Sequence, residues 1–242
     1  ILVFVLAFSH STFAQIDSIY PELQNAYFVY LKGGKIIEGE QVTFRQPLLQ
    51  RSYISVDDLE IKSKEVLFYQ DELGFYANVS SLVGLFKFGT YFAERVKAGK
   101  INFYELIRIS QSTPMYSGTM GWSPGHRTER IDHFYNKGFG PLKKATYDNL
   151  SLELRDNPLA IAELDKYKKQ LFITGGLYGG AALLGIFSVI SFTNNDPMNP
   201  SQGATSRAIG LGIGSAVLVL AGYVSSRNKI RHLKNAISVY NH

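Results

Sequence analysis

Cysteine is absent from the 242 residues of this chain. That excludes disulfides and thiolate metal sites, and it leaves the redox compartment undecided. Two short catalytic signatures are missing too. There is no HExxH pair, and no glycine-rich phosphate loop between a strand and a helix. The spaced glycines of GLGIG at 210–214 sit inside an apolar run, where they serve packing. Tryptophan occurs once, as Trp122. No cofactor is expected from this inventory, and the balance falls against an enzyme.

Charge is missing from two stretches. Residues 171–192 read LFITGGLYGGAALLGIFSVISF, and residues 208–225 read AIGLGIGSAVLVLAGYVS. At 1.5 Å per residue, roughly 22 residues cover about 33 Å, enough for a hydrocarbon core of about 30 Å. A backbone in lipid must satisfy its own hydrogen bonds, so both stretches are expected to be helices. The segment between them, TNNDPMNPSQGATSR, has the composition of an exposed turn. Together they read as an antiparallel transmembrane hairpin.

Glycine would weaken such helices in water, at about 1 kcal/mol per interior residue relative to alanine. In lipid it lets backbones approach closely. Gly175 with Gly179, Gly176 with Gly180, and Ala181 with Gly185 form small-xxx-small pairs on the first helix. On the second, Gly210 pairs with Gly214, while Ala208, Ser215 and Gly222 recur at heptad spacing. These residues are the expected helix-packing positions. Packing of the two helices on each other is the favoured use, and packing between protomers of a homo-oligomer is the alternative.

The net charge is +5. Much of the excess flanks the hairpin, in Lys166, Lys168, Lys169, Arg227, Lys229, Arg231 and Lys234. Acidic lipid head groups are the natural partner of such a cluster. No nucleic acid partner is expected, because no aromatic and basic platform accompanies it.

The opening residues, ILVFVLAFSHSTFAQ, contain an apolar run at 1–8 that is too short to span. Thr12 and Ala14 are small residues at the positions a signal peptidase reads. Residues 1–14 are expected to be the end of a secretory signal that starts upstream, cleaved before Gln15. Export places both ends of the hairpin outside the cytoplasm, whereas the basic cluster at those ends points inward by the positive-inside rule. The first hydrophobic segment usually dominates, so the exported orientation is preferred.

From Ala26 the hydrophobic period becomes two. AYFVYLK, Gly33-Gly34 and KIIEGEQVTF read as a hairpin. YISVDDLEI and EVLFYQDELGFYANV follow, with turns at Asp57-Asp58 and from Asp71 to Gly74. LVGLFKFGTYFAERVKAGKINFYELIRIS continues the series, broken at Gly89 and at Ala98-Gly99-Lys100, although YFAERVKAG also fits a short helix. The aromatics Phe28, Tyr30, Phe44, Phe68, Tyr69, Phe75, Tyr76, Phe86, Phe88, Phe92 and Phe103 read as core and rim rather than a carbohydrate-stacking face. Residues 110–128 read as a mobile loop, and RIDHFYNKG as one more strand. PLKKATYDNLSLELRDNP then begins a helical half, with Asp148 as a cap and Pro158 opening the next helix. At the C-terminus, Ile230, Leu233, Ile237 and Tyr240 mark an amphipathic helix that lies on the membrane or packs on the helix before the first span.

The fold class is therefore α+β. An N-terminal antiparallel β-rich domain (26–140), a roll, sandwich or open barrel, precedes a helical linker (146–170), the hairpin (171–225) and an amphipathic C-terminal helix (227–242). The LKGGKIIEG hairpin, AERVKAGKINFYE, HFYNKG, LKKATYDNLSLELRDNP and the ending KNAISVYN resemble exported, membrane-anchored proteins of Bacteroidota to which no activity is attached. The resemblance covers most of the chain. It implies a Gram-negative envelope setting, with the β domain in the periplasm, and no chemistry.

Candidate sites are few. His126, Asp132 and His133 could meet across a strand edge, but a zinc site wants three or four ligands at fitting spacings, and a surface role is favoured. Trp122, His126, Arg127 and Arg130 mark a possible binding loop. The expected function is a membrane-anchored envelope protein that serves as a binding or scaffold module. Its partners would be the lipid bilayer and either a second copy or another envelope protein. The alternative is a subunit of an oligomeric, pore-like assembly packed through its glycine-rich helices.

Overall fold

A computed structural model of the chain describes residues 27–47, 51–83, 90–111, 115–117, 121–123, 125, 127–193 and 202–242. The expected secretory signal, Phe86, Phe88 and Gly89 lie outside them. The fold is α+β, with antiparallel sheets first and two long apolar helices after them. It divides into two compact units, the first ending at Ala145 and the second running over Thr146–His242.

The first unit holds thirteen described strands. They are β1 (Tyr27–Leu31), β2 (Ile36–Gly39), β3 (Val42–Arg45), β4 (Tyr53–Val56), β5 (Leu59–Lys62), β6 (Val66–Asp71), β7 (Gly74–Asn78), β8 (Phe92–Lys97), β9 (Asn102–Gln111), β10 (Met115–Ser117), β11 (Gly121–Ser123), β12 (Arg127–Asn136) and β13 (Lys143–Lys144). Eight of them form one antiparallel sheet in the order β13-β12-β9-β8-β7-β6-β1-β2, and β3-β4-β5 form a second. Alternation along β1 explains the layering. Phe28 and Tyr30 join a cluster with Phe68, Phe75, Tyr104 and Phe134 on one face. Val29 faces the other way, into a cluster that also takes Val42, Ile54, Val56 and Ile61 from the smaller sheet. The two sheets thus share a core, the arrangement of a sandwich. Each fully buried aliphatic or aromatic side chain contributes about 1.5–3 kcal/mol.

The turns follow their chemistry. Gly34 takes a φ of 81° between β1 and β2, a conformation glycine enters without steric cost. Asp57 takes a φ of 52°. Its carboxylate accepts hydrogen bonds from the Glu40 and Gln41 amides at 3.0 and 2.9 Å, which ties the β4–β5 turn to the end of β2. Asp71 accepts from the Leu73 and Gly74 amides at 2.9 and 3.1 Å. Burial pushes the Asp71 carboxyl above its ordinary range, partly offset by those two amides.

One reading that the sequence left open is decided here, and two others change. YFAERVKAG contributes the strand β8 rather than a helix, because its register against β7 and β9 buries Ala93 in the first cluster. Lys143–Lys144 close the large sheet as β13, so the strand-bearing unit extends past 140 to Ala145. Within the supposed loop at 110–128, Met115–Ser117 and Gly121–Ser123 pair as antiparallel strands.

The second unit holds three helices, which we label α1 (Tyr147–Glu153), α2 (Pro158–Thr193) and α3 (Gln202–Asn241). Thr146, not Asp148, caps α1, through its hydroxyl and the Asn149 amide at 3.4 Å. Asp148 lies in the first turn instead, where its charge suits the helix dipole. Asn157 caps α2, accepting from the Leu159 and Ala160 amides, both at 3.1 Å, and Pro158 occupies the first helical position as its fixed φ favours. The C-terminal amphipathic segment is not a separate helix. No glycine or proline interrupts 223–241, and α3 runs through it without a break.

Candidate functional site: a helical anchor and a strand arm

The helices α2 and α3 contain 36 and 40 residues, or roughly 54 and 60 Å at 1.5 Å per residue, well beyond a hydrocarbon core of about 30 Å. They pack antiparallel along nearly their whole length. At one end the Asn157 side chain lies 3.5 Å from the Val239 carbonyl; at the other, Ser188 donates to the Ala208 carbonyl at 2.7 Å.

The pair changes character along its axis. In the open-end stretch, 158–170 against 227–241, Ala160, Leu164, Leu233, Ala236 and Ile237 are buried between the helices and charges face outward. Beyond Leu171 and Tyr223 the polarity inverts. Phe172, Leu183, Ile186, Phe187, Val189, Ile213, Val217, Leu220 and Val224 are all more than half exposed. Polar groups turn inward instead: Thr174 and Ser225 share a hydrogen bond at 2.9 Å, Ser225 donates to Gln170 at 2.9 Å, and Ser215 donates to the Ala181 carbonyl at 2.8 Å. Both helices are long and apolar enough to cross a membrane, and only 11 % and 17 % of their most apolar stretches is buried. The core helix of a soluble protein is mostly buried. Exposed apolar outside with small and polar inside is what a lipid solvent selects.

The glycines divide into two groups. A methyl on Gly180, Gly185, Gly212, Gly214 or Gly222 would meet Leu218, Ser215, Ser188, Leu184 or Tyr178 of the facing helix, at 3.0–3.5 Å. A methyl on Gly175, Gly176, Gly179 or Gly210 would meet nothing within 4 Å. The i, i+4 pairs read from the sequence are therefore not one set. Gly175–Gly179 is open at both members, while Gly176–Gly180 and Gly210–Gly214 each contribute one member to the contact. The heptad series Ala208, Ser215, Gly222 faces α2 throughout, as a seam of 3.5-residue period requires.

At the open end Glu163 accepts from Lys166 at 2.6 Å and lies 2.9 Å from His232 Nδ1 across the helix pair. Lys166 first, and then His232, hold the Glu163 carboxyl below its ordinary value.

The second candidate surface is a strand arm. The strands β9 and β12 pair over ten residues each, from Asn102 opposite Asn136 to Gln111 opposite Arg127. In a separate two-stranded sheet Met115 stands opposite Ser123 and Tyr116 opposite Trp122, a pairing that keeps the numerical alignment of β9 with β12. Neighbouring strands leave this ribbon early. The last partner of β9 on β8 is Glu94, opposite Glu105, and the last partner of β12 on β13 is Lys144, opposite Phe134. Beyond those points Ile107, Ile109 and Ile131 are 55 %, 55 % and 43 % exposed. Ile107 and Ile131 stand directly opposite one another.

Two of the four residues expected to form a binding loop, Arg127 and Arg130, fall on this arm. Trp122 lies in β11, Arg127 and Arg130 lie in β12 and are exposed, and His126 is outside the described residues. Arg130 donates to Asp132 at 3.1 Å, and Asp132 also pairs with Arg108. His133 pairs with Glu105 at 3.4 Å and stacks on Phe103. Asp132 and His133 are adjacent on a strand and so point to opposite faces. Among the described residues no group of three or more His, Asp or Glu side chains could hold a metal ion. The exposed isoleucines were missed from sequence, although their alternation with Arg108 and Ser110 carried the signal.

The fold and its two surfaces define an α+β protein whose two apolar helices are compatible with a membrane anchor. No protein family, curated protein or solved structure matches the chain, so its function rests on its own residues.

Proposed function

We propose that the protein is a non-enzymatic binding or scaffold module of a Gram-negative cell envelope, like the Bacteroidota proteins its sequence resembles. The helical hairpin anchors it in a bilayer, and the β unit is displayed on the periplasmic side. The observation that carries the reading is the inverted polarity of the hairpin, with large apolar side chains exposed and hydroxyls bonded inward. The strand arm is the binding surface. An isolated two-stranded ribbon is marginal in water, and this one carries exposed isoleucines that a partner would cover.

A homo-oligomer is the second reading, favoured by Gly175, Gly176, Gly179 and Gly210, whose open faces leave room for another helix. A water-lined pore has less support, since Thr174, Ser188, Ser215 and Ser225 are bonded within the hairpin.

The natural lack of cysteine makes the test clean. A single cysteine at Glu60 in the β unit and another at Ser206 near the start of α3 are labelled in intact and in permeabilised cells, with a maleimide that crosses the outer membrane only. Labelling of Glu60→Cys in intact cells and of Ser206→Cys only after permeabilisation supports periplasmic display on an inner-membrane hairpin. The reverse pattern, as the positive-inside rule would have it, contradicts it.

A further inference from the structure

The open end of the hairpin carries a ladder that the anchor alone does not require. Tyr223, Arg227 and Arg231 recur every four residues on α3, and all three are exposed. The Arg227 guanidinium sits 5.0 Å over the Tyr223 ring. Residues four apart on a helix have Cβ atoms about 5–6 Å apart, so the two arginines are neighbours. Ser225 and Gln170 are joined at 2.9 Å, so both helices leave the apolar stretch at one level, with Tyr223 just inside it and Arg227 just outside.

Nothing on α3 neutralises these cations. Residues 202–241 contain no Asp or Glu. The nearby acids of α2 are already engaged: Glu163 by Lys166 and His232, and Asp165 by the Tyr147 hydroxyl at 2.9 Å. The helix dipole does not explain the arginines either. Its effect falls off within the last turn, which holds no basic residue in α3.

We infer that Tyr223, Arg227 and Arg231 form a binding site for the phosphate of an anionic phospholipid. The inference rests on the anchor reading and deepens it. Tyrosine is at home at head-group depth. A guanidinium offers a fork of donors matched to phosphate oxygens, and Arg227 is held in place by the ring beneath it. Lys169 of α2 is exposed at the same level, whereas two other α2 cations are less available. Lys166 is tied to Glu163, and Lys168 lies 4.3 Å from the centre of the Tyr147 ring.

The test uses the full chain, purified in a neutral detergent, with native mass spectrometry counting bound lipid. Phosphatidylglycerol is expected to bind in preference to phosphatidylcholine. One basic residue near an anionic surface contributes about fivefold, so Arg227→Gln with Arg231→Gln should weaken phosphatidylglycerol binding by roughly 25-fold. Lys32→Gln with Lys35→Gln, in the β1–β2 turn, should leave it unchanged. Arg227→Lys with Arg231→Lys keeps the charge without the fork, and should fall between the wild type and the glutamine variant. An unchanged melting temperature in detergent shows that the variants fold. Equal binding of the two lipids, or full retention of phosphatidylglycerol by the glutamine variant, would overturn the site. Displacement of the lipid by equimolar inorganic phosphate would overturn it as a lipid site. A chain that stays monodisperse without detergent would sink the anchor reading itself, before any lipid is added.

Discussion

Two halves of the same helix pair obey opposite rules. Between 158–170 and 227–241 the helices bury Leu164, Leu233 and Ile237 and turn charge outward. Further toward the connecting loop, the same two helices expose Phe172, Leu183 and Val217 and bury Thr174 and Ser225. Backbone geometry and partner are the same in both halves, and the inverted half is compatible with a lipid solvent. Water drives apolar side chains together. Lipid does not, and there association rests on close packing and interhelical hydrogen bonds. The contrast separates a membrane hairpin from a soluble one more sharply than length or composition does.

The contrast breaks most visibly if charge is placed on the outer face. Leu183→Lys with Val217→Lys should abolish alkali-resistant membrane association, because each lysine at mid-span costs about 2.5–3.5 kcal/mol of insertion. Leu159→Lys, at an exposed position of the water-facing half, should leave association intact and stability within about 0.5 kcal/mol. Equal effects at the two places would erase the distinction.

The water-facing half depends instead on its core. Ile237 is fully buried, and Ile237→Ala should cost roughly 2–5 kcal/mol. Thermal unfolding in detergent would show the loss, and extraction behaviour should not change.

A third comparison lies among the glycines. A side chain at Gly222 meets the Tyr178 ring at 3.0 Å, whereas one at Gly175 meets nothing within 4 Å. Gly222→Ile should therefore destabilise the hairpin by about 1–3 kcal/mol through overpacking. Gly175→Ile should leave the monomer alone and reduce any self-association measured by crosslinking in vesicles.

Much of this was legible in the sequence, and the failures have physical causes. The two uncharged runs, the Gly33-Gly34 turn, the Asp71 turn and the start of α2 at Pro158 are local features, and each appears where its chemistry put it. The glycines were legible as packing residues but not as two groups. An i, i+4 pair fits many helix contacts, and only the 3.5-residue seam, visible in Ala208, Ser215 and Gly222, says which side meets the partner. The arm was hidden because Ser110 to Thr128 lacks strand-like periodicity. The pairing of β9 with β12 is a non-local constraint, set by partners 16 to 34 residues apart. Lys143–Lys144 likewise form a strand only because β12 offers an edge. Asp148 was read as the cap, but the backbone at Thr146, extended at φ −93° and ψ 162°, puts the cap there.

The smallest expected effect is electrostatic. Lys166 and His232 hold Glu163 below its ordinary value of 4.5. A depressed carboxyl stabilises the fold above its unfolded pKa, and that contribution is lost as pH falls through the folded value. Acidification below about pH 4.5 should thus weaken the open end of the hairpin, a slope that Glu163→Gln should flatten. The group is partly exposed and Lys166 more so, which keeps the effect small.

The central claim is that lipid solvates the outer face of the span. Single nitroxide-labelled cysteines at Leu183, Val217 and Ser215, in the protein reconstituted in vesicles, address it directly through accessibility to oxygen and to a water-soluble nickel chelate. Positions 183 and 217 should be open to oxygen and closed to nickel, with 215 closed to both. Nickel access at 183 and 217 would show that water meets that face, and the membrane anchor would be contradicted.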